Sequence, residues 1–430
     1  MTARLAYVKG VRMASGGGTP PLVRQVNCAL VLGILRGAGP LRLADLVKRS
    51  GLSRPTVGQV VEQLHDAGLI AYAEEEPSRP ARSGRPPRLV RFRNEAAYVA
   101  GIDIGRRTVH VILTDLAGTV VARHRQPTSS ARSAHDLLVT VRAAIRAALA
   151  VAGVPRDKVA SVAAGTPGIV DAARGTVTLA YGMPGWSINL AHELRRSLHC
   201  PVKVENDVNL AALAELWYGT ARSADTLVFV LWGERIGAGI VIGGELHRGA
   251  SNAAGEIGFL ALDPGTTAQP DSDGLGPFER LVGADAIARA TPGHTSAEAV
   301  LSAAARGDTH AAAVVASTAA RFAHGLAPIL AVLDPDLVVI GGGVSQAGQA
   351  LLDAIRENVR PLVLVPPHLA LSSLGDEAVA LGAARLALAD AEHRILPAAS
   401  LPGARPDGAT LFAAGNGPGH AYERSVTTVS

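Results

Sequence analysis

The sequence predicts an α/β protein in two parts: a small head of three helices and a strand pair, and a larger body in which strands and helices alternate. Three observations predict this. Residues 40–75 hold two short amphipathic helical repeats joined by a glycine turn. From Tyr98 onward hydrophobic strands alternate with helical runs, and the pattern restarts in the second half after a glycine loop. At 430 residues the chain also exceeds what a single hydrophobic core holds.

In order along the chain, residues 1–21 are Gly/Pro-rich and read as disordered. Val23 to Arg36 read as a first helix with Leu30, Ile34 and Leu35 apolar. Leu43, Leu46 and Val47 recur at helical spacing and Gly51 ends that run. Ser53 then suits an N-cap with Pro55 in the tolerant first turn, Val57, Val61 and Leu64 form one apolar stripe, and Gly68 stops the helix. Two short helices joined by a glycine-containing turn are the unit that sets a recognition helix in the major groove of DNA. The stripe leaves Ser53, Arg54, Thr56, Gln59 and Gln63 off the core face, where they can reach phosphates and base edges. LIAYAEEE and PRLVRF read as two strands, and the PSRPARSGRPP between them as a basic wing with Arg85 and Arg88 as contacts. The SGRP segment is either a minor-groove peptide of fixed proline geometry or a plain Pro-rich linker. The head spans 22–97.

The body spans 98–392. YVAGIDIG and TVHVILTDLAG form a hairpin, residues 134–152 an Ala-rich helix, VASVAAGTPGIVD a strand and glycine loop, and PVKVENDVNLAALAELWYG a strand and helix. TLVFVLWGERIGAGIVIGGELHRG begins a second hairpin, LVVIGGGVS is another strand and glycine loop, and DEAVALGAARLAL a late helix. Two such halves make a cleft at their strand ends. Residues 393–430 show no periodicity and read as a disordered tail.

Hydrophobic residues make up 48% of the chain but aromatics only 3%, so the core is aliphatic. No uninterrupted apolar run reaches the span of a membrane helix, and the first residues lack a signal-peptide apolar stretch. A cytoplasmic protein without membrane partners is expected, associated with the nucleoid if it binds DNA. Cys28 and Cys200 show no metal or disulfide spacing, and Cys28 reads as a buried thiol. Residues 1–95 carry a net charge of +8 and the remainder −4. A basic head on a mildly acidic body fits a DNA-binding module joined to a small-molecule domain; a solvated basic surface would show the same charge.

Four motifs can carry chemistry. Asp103-Ile104-Gly105 closes a strand, with Thr108 three residues on, and such a hairpin offers backbone N–H groups and a hydroxyl to phosphates; Asp-x-Gly also makes ordinary turns. Glu205-Asn206-Asp207 stands where a strand becomes a helix: Asp207 could take a proton from an attacking hydroxyl and Asn206 bond sugar hydroxyls, or the pair could simply cap the helix. The loop Gly249–Gly258 carries Glu256, a second hydroxyl acceptor. Gly341-Gly342-Gly343 permits close approach to a nucleotide, or a tight turn.

Together GIDIGRRT, GTPGIVD, VENDVNLAALAE, IGAGIVIGGELHRGASNAAGEIG and LDPDLVVIGGGVSQAG resemble, in this order, the ROK family of bacterial sugar kinases and sugar-responsive repressors. The resemblance covers roughly 98–390. It implies a two-lobed, actin-like and hexokinase-like (ribonuclease H-like) fold, and LSRPTVGQVVEQLHDAGLI with SGRPPRLVRF looks like the winged helix of the repressor branch. It further implies Asn206, Asp207, Glu256 and Glu279 as sugar-binding residues, with Asp207 a vestigial base. Asp103, Gly105, Thr108, Gly233, Gly237, Gly239 and Gly342 become the remains of the nucleotide loops.

Departures from the family point away from catalysis. Arg106 and Arg107 fill the first phosphate loop, and Glu234 and Arg235 stand in the second. Glu234 is expected to repel phosphates. Arg235 is read either as filling space kept open by a glycine or as a phosphate ligand. Gly182 stands where the family has Asn, and Phe259 replaces the zinc histidine. The stretch GTTAQPDSDGLGPFERLVG has none of the zinc cysteines, so no metal and no cofactor are expected. The expectation is a DNA-binding repressor of carbohydrate genes, acting on double-stranded operator DNA as a homodimer or dimer of dimers, with a sugar or sugar-phosphate effector. A sugar kinase with a fused DNA-binding domain is the alternative.

Overall fold

The computed structural model describes residues 20–74, 88–128, 133–183 and 185–395. They form two compact units, one of residues up to Asn94 together with Glu392 onward, the other Glu95–Ala391.

In the first unit α1 (Pro20–Ala38) is longer at both ends than its apolar pattern shows. It is followed by β1 (Leu41–Arg42), α2 (Leu43–Ser50), α3 (Arg54–Asp66), β2 (Ile70–Glu74) and β3 (Arg88–Phe92). The sheet order is β1-β3-β2, so the two predicted strands gain a third, too short for any alternation to show. Gly51 ends α2 in the left-handed region (φ 71°), its N–H on the Val47 carbonyl. The Ser53 hydroxyl accepts the Thr56 N–H at 3.3 Å and starts α3. Val57, Val60, Val61 and Leu64 of α3 bury with Leu46 of α2 and Val31, Leu32 and Leu35 of α1. Cys28 is buried too, and burial pushes its thiol pKa up. Arg36 pairs with Glu392 at 2.8 Å. The wing tip, with Arg85, lies outside the described residues.

The second unit repeats one topology. In its first half β4 (Tyr98–Ile104), β5 (Thr108–Asp115) and β6 (Val120–Pro127) form an antiparallel meander, which α4 (Ala134–Ala152) covers. β7 (Val159–Thr166) then lies parallel to β4, β8 (Ile169–Asp171) and β9 (Thr176–Leu179) make a small hairpin, and α5 (Leu190–Leu198) leads to β10 (Val202–Asn206), parallel to β7. After α6 (Asp207–Trp217) the second half begins: β11 (Leu227–Trp232), β12 (Ile236–Ile242) and β13 (Glu245–Leu246) form a meander. Helices α7 (Pro277–Val282), α8 (Ala284–Arg289), α9 (Ala297–Ala305) and α10 (Thr309–Leu333) precede β14 (Leu337–Gly341), and α11 (Gln349–Val359) precedes β15 (Leu369–Leu371). The sheets run β10-β7-β4-β5-β6 and β13-β12-β11-β14-β15, each with its meander on one side and two parallel strands on the other. The last helix, α12 (Ala378–Ile395), extends past residue 392, where sequence pattern placed the start of the tail.

Each half has its own core. Val141, Ala144, Ile145 and Ala148 of α4 bury against Val109 and Val111 of β5. In the second half Trp232 stacks on Phe322 with ring centroids 4.0 Å apart. Despite Arg321 and two histidines, α10 is long and apolar enough to cross a membrane by length and composition alone; half of its apolar window is buried inside the protein. Ala319, Phe322 and Leu326 belong to the second core.

Candidate functional site

The chain brings three carboxylates to strand ends, where side chains leave the sheets and backbone groups are free to turn. Asp103 is near the end of β4, Asp207 opens α6 directly after β10, and Glu256 follows the loop after β13. Glu205 organises this region. It is 1% exposed, and accepts the Asn206 N–H at 2.9 Å, the Asn209 amide at 3.0 Å and the Arg248 guanidinium at 2.7 Å. It thereby ties the start of the 248–256 loop to the start of α6. Gly255 then lets that loop lie on β12: its φ is +89°, and a Cβ there would stand 1.8 Å from the Ala238 carbonyl oxygen.

Asn206 caps α6 by accepting the Asn209 N–H at 3.0 Å and donates to the Gly168 carbonyl at 3.1 Å, so both ends of its amide are engaged by the chain. Asp207 accepts the Val208 N–H at 2.9 Å. Glu279, 4% exposed, accepts the Gly276 N–H at 2.7 Å, the Ile236 N–H at 3.1 Å and Arg235 at 3.2 Å. All three of these donors come from the protein itself.

Burial, then the charges of Asp207 and Asp376, raise the Asp103 pKa to about 8 against the pull of Arg125. Burial raises Asp207 to about 6. Burial, with Asp207 and Glu279 nearby, raises Glu256 to about 7, opposed by Arg235. These folded-state values lie above the unfolded ones near 4. The folded state therefore binds these protons more tightly, and the stability they contribute falls as pH rises from about 4 toward 8. Asp103→Asn, which cannot ionise, is expected to melt above the wild type at pH 8 by a margin that shrinks toward pH 5. Melting curves across that range check this; a margin independent of pH would contradict a buried, proton-binding Asp103.

The two hairpin loops meet in a way the sequence does not show. Gly105 donates its N–H to the Thr108 carbonyl, which closes the turn and carries Arg106 and Arg107 at its tip. Arg106 reaches Glu234 at 2.9 Å and Arg107 reaches the same carboxylate at 3.2 Å. The Glu234 charge, read from sequence as hostile to phosphate, is paired here with two guanidinium groups. Arg235 turns elsewhere, to Glu279, to the Asp273 carbonyl at 2.9 Å and to the Gly274 carbonyl. Gly233 donates to the Arg235 carbonyl within the same turn. Gly237 and Gly239 face Val208 of α6, and Gly342 lies on the Trp232 backbone, so these glycines also serve close packing of strands and helices.

A cavity of about 260 Å³ opens beside the arginines, lined by Arg106, Arg107, Thr128, Trp186, Met183 and Glu234 among others. None of Asn206, Asp207, Glu256 or Glu279 lines it. Apart from the departures at Arg106, Arg107, Gly182 and Glu234, sequence reasoning did not single out this wall. Thr128 bonds the Arg106 carbonyl from 22 residues away, and Trp186 donates to Thr166, links that no local pattern encodes.

The residues present do not fit the family's zinc. Phe259, at the histidine position, lies against Tyr181 with ring centroids 5.2 Å apart. The loop that would carry the cysteines is held by the Arg235 guanidinium on the Asp273 and Gly274 carbonyls. Among the described residues no group of three or more His, Cys, Asp or Glu is arranged to hold a metal ion.

On the head, Arg54 and Gln59 stand exposed on α3. The Thr56 and Ser53 hydroxyls share a hydrogen bond of 2.7 Å at the helix start. Gln63 is exposed but accepts the Cys28 thiol at 3.5 Å, which turns it toward α1. The Arg88 guanidinium sits 5.7 Å from the centre of the Tyr72 ring.

The chain matches the ROK family profile over residues 99–390 and the MarR family profile over residues 24–80. It is 25% identical to a putative xylose repressor of Caldicellulosiruptor sp. (strain Rt8B.4), covering 87% of this chain and 98% of that protein. It is 30% identical to a glucokinase of Streptomyces coelicolor over 67% of this chain and 96% of the kinase. The crystal structure of a ROK family transcriptional regulator, a homolog of the E. coli MLC protein, superposes with a TM-score of 0.68 at 25% identity, covering 88% of this chain and 98% of that one. The glucokinase likeness covers about two thirds of the chain, whereas the two regulators cover close to nine tenths. With its family profile matched over well more than half its length, and a MarR-type winged helix ahead of that match, this chain belongs to the ROK family.

Proposed function

We propose that the protein is a DNA-binding transcriptional repressor of carbohydrate uptake or metabolism genes, with residues 22–97 reading the operator and residues 98–392 sensing a sugar or sugar phosphate without catalysis. The observation that carries this reading is the pairing of a MarR-type head, exposing Arg54 and Gln59 on α3, with a ROK body whose two phosphate hairpins bond each other through Glu234. Phosphoryl transfer depends mainly on phosphate placement and charge stabilisation, and here Glu234 competes with any phosphate for the two arginines at the hairpin tip. One winged helix offers a small contact area, so a homodimer on an inverted repeat, or a dimer of dimers, is the assembly we infer. Effector binding in the cleft would bias the spacing of the heads by a hinge motion. The protein would act on chromosomal DNA in the cytoplasm, with no cofactor.

A sugar kinase is the second reading, favoured by Asp103 and Asp207 at the strand ends and by the glucokinase relatives. Two assays on the full chain separate them. The purified protein is expected to select a pseudo-palindromic duplex from random DNA and to lose affinity for it with a sugar or sugar phosphate present. Coupled ADP release with glucose, N-acetylglucosamine, mannose and xylose is expected to stay at background. Turnover that vanishes in Asp207→Ala would establish the kinase, and absence of any selected duplex would end the repressor reading.

A further inference from the structure

We propose that the cavity beside Arg106 and Arg107 is an anion-selective effector subsite, taking a monosaccharide-sized ligand whose anionic group displaces Glu234 from the two arginines. The inference rests on the effector reading above and specifies its chemistry.

Three observations carry it. The cavity has room for a monosaccharide-sized molecule, and among the described residues it is lined by two guanidinium groups and one carboxylate. Glu298 of α9 lies within electrostatic reach of Arg107 but does not line the cavity. The lining also includes the apolar Leu137, Met183 and Trp186, a mixed polar and apolar surface of the kind small-molecule sites present. Finally, Gly182 lines the cavity beside the arginines in a left-handed backbone conformation that favours glycine. Its φ is +73°, and a Cβ there would stand 2.6 Å from an Arg235 nitrogen and 3.4 Å from the Arg106 guanidinium carbon.

Glu234 fits the role of an internal stand-in for the ligand. Its carboxylate engages Arg106 at 2.9 Å and Arg107 at 3.2 Å, the geometry an incoming phosphate or carboxylate would take. Arg107 is 81% exposed in its side chain, so the pairing with Glu234 is solvent-screened and easily exchanged. The Arg106 main chain is held more firmly: its carbonyl accepts the Thr128 hydroxyl at 2.6 Å. A ligand that takes over the arginines frees Glu234 and with it the link between the two hairpins. Binding is thereby coupled to the relation between the halves of the body.

The test is isothermal titration calorimetry on the full chain with glucose, xylose and N-acetylglucosamine, their terminal phosphates, glucuronate, and inorganic phosphate. At least one sugar phosphate or glucuronate is expected to bind ten or more times tighter than its neutral parent. The phosphates and glucuronate distinguish a phosphoryl from a carboxyl source. The double variant Arg106→Gln with Arg107→Gln is expected to erase the preference, its fold checked by circular dichroism. Glu234→Gln, which removes the competitor, is expected to tighten the anionic ligand several-fold. Equal or tighter binding of the neutral sugars, or a preference that survives the double variant, overturns the proposal. So does inorganic phosphate binding as tightly as the sugar phosphates, because the apolar lining then adds nothing. If a neutral sugar binds and weakens operator affinity, the effector reading stands and only this subsite falls. If no probe binds while operator DNA does, both fall.

Discussion

Replacing Arg54 and Gln59 together by alanine is expected to lower operator affinity at least tenfold while leaving the fold intact. Both side chains are exposed on α3, away from the buried stripe of Val57, Val60, Val61 and Leu64. Arginine pairs bidentately with guanine and glutamine with adenine in the major groove, and each such contact is worth about 1–3 kcal/mol of discrimination. Neither side chain packs in the core, so the melting temperature should barely move. Quantitative gel shifts with the selected duplex and with a scrambled one would separate the two components of binding. Specific affinity should fall toward the nonspecific value. If the double variant keeps its preference for the selected duplex, α3 is not the recognition helix.

Arg248→Met is expected to destabilise the protein by about 1–3 kcal/mol, because it strips the partner from a buried carboxylate while the arginine itself is 37% exposed. Glu205 is 1% exposed, and Arg248 brings two nitrogens to one of its oxygens, each at 2.7 Å. The remaining donors, the Asn206 N–H and the Asn209 amide, both approach the other oxygen, so the loss leaves one oxygen without its cation. Adding Glu205→Gln should recover part of the loss, because a neutral amide can keep an acceptor for Asn206 and no buried charge remains. Urea unfolding of the two single variants and the double variant measures this as a cycle. Purely additive losses would show that the pair is not coupled. The same pair fixes the 248–256 loop against α6, so Arg248→Met should also weaken binding of any ligand held by Glu256.

What the sequence determined by itself is local. The Ser53 cap, the left-handed Gly51, the α3 stripe and the Ala134–Ala152 helix were legible because each depends on residues within a turn or two of one another. The order of glycine loops along the body was legible for a similar reason, since each loop follows its own strand. The partners of the polar side chains were not. Glu234 read as a charge hostile to phosphate, yet it accepts Arg106 and Arg107 from more than a hundred residues away. Arg235 read as an intruder or a phosphate ligand, yet it serves Glu279 and the loop at Asp273 and Gly274. Glu279 and Asn206 read as hydroxyl ligands from their motifs; the structure adds that Glu279 accepts two backbone N–H groups and Arg235, and that Asn206 bridges α6 to Gly168. Even the small strand Leu41–Arg42 exists only because β3 lies beside it. Backbone form follows from short-range sterics and hydrogen bonding. The charge and bonding state of a side chain follow from which distant segments the two sheets bring to the same strand ends, and only the tertiary structure decides that.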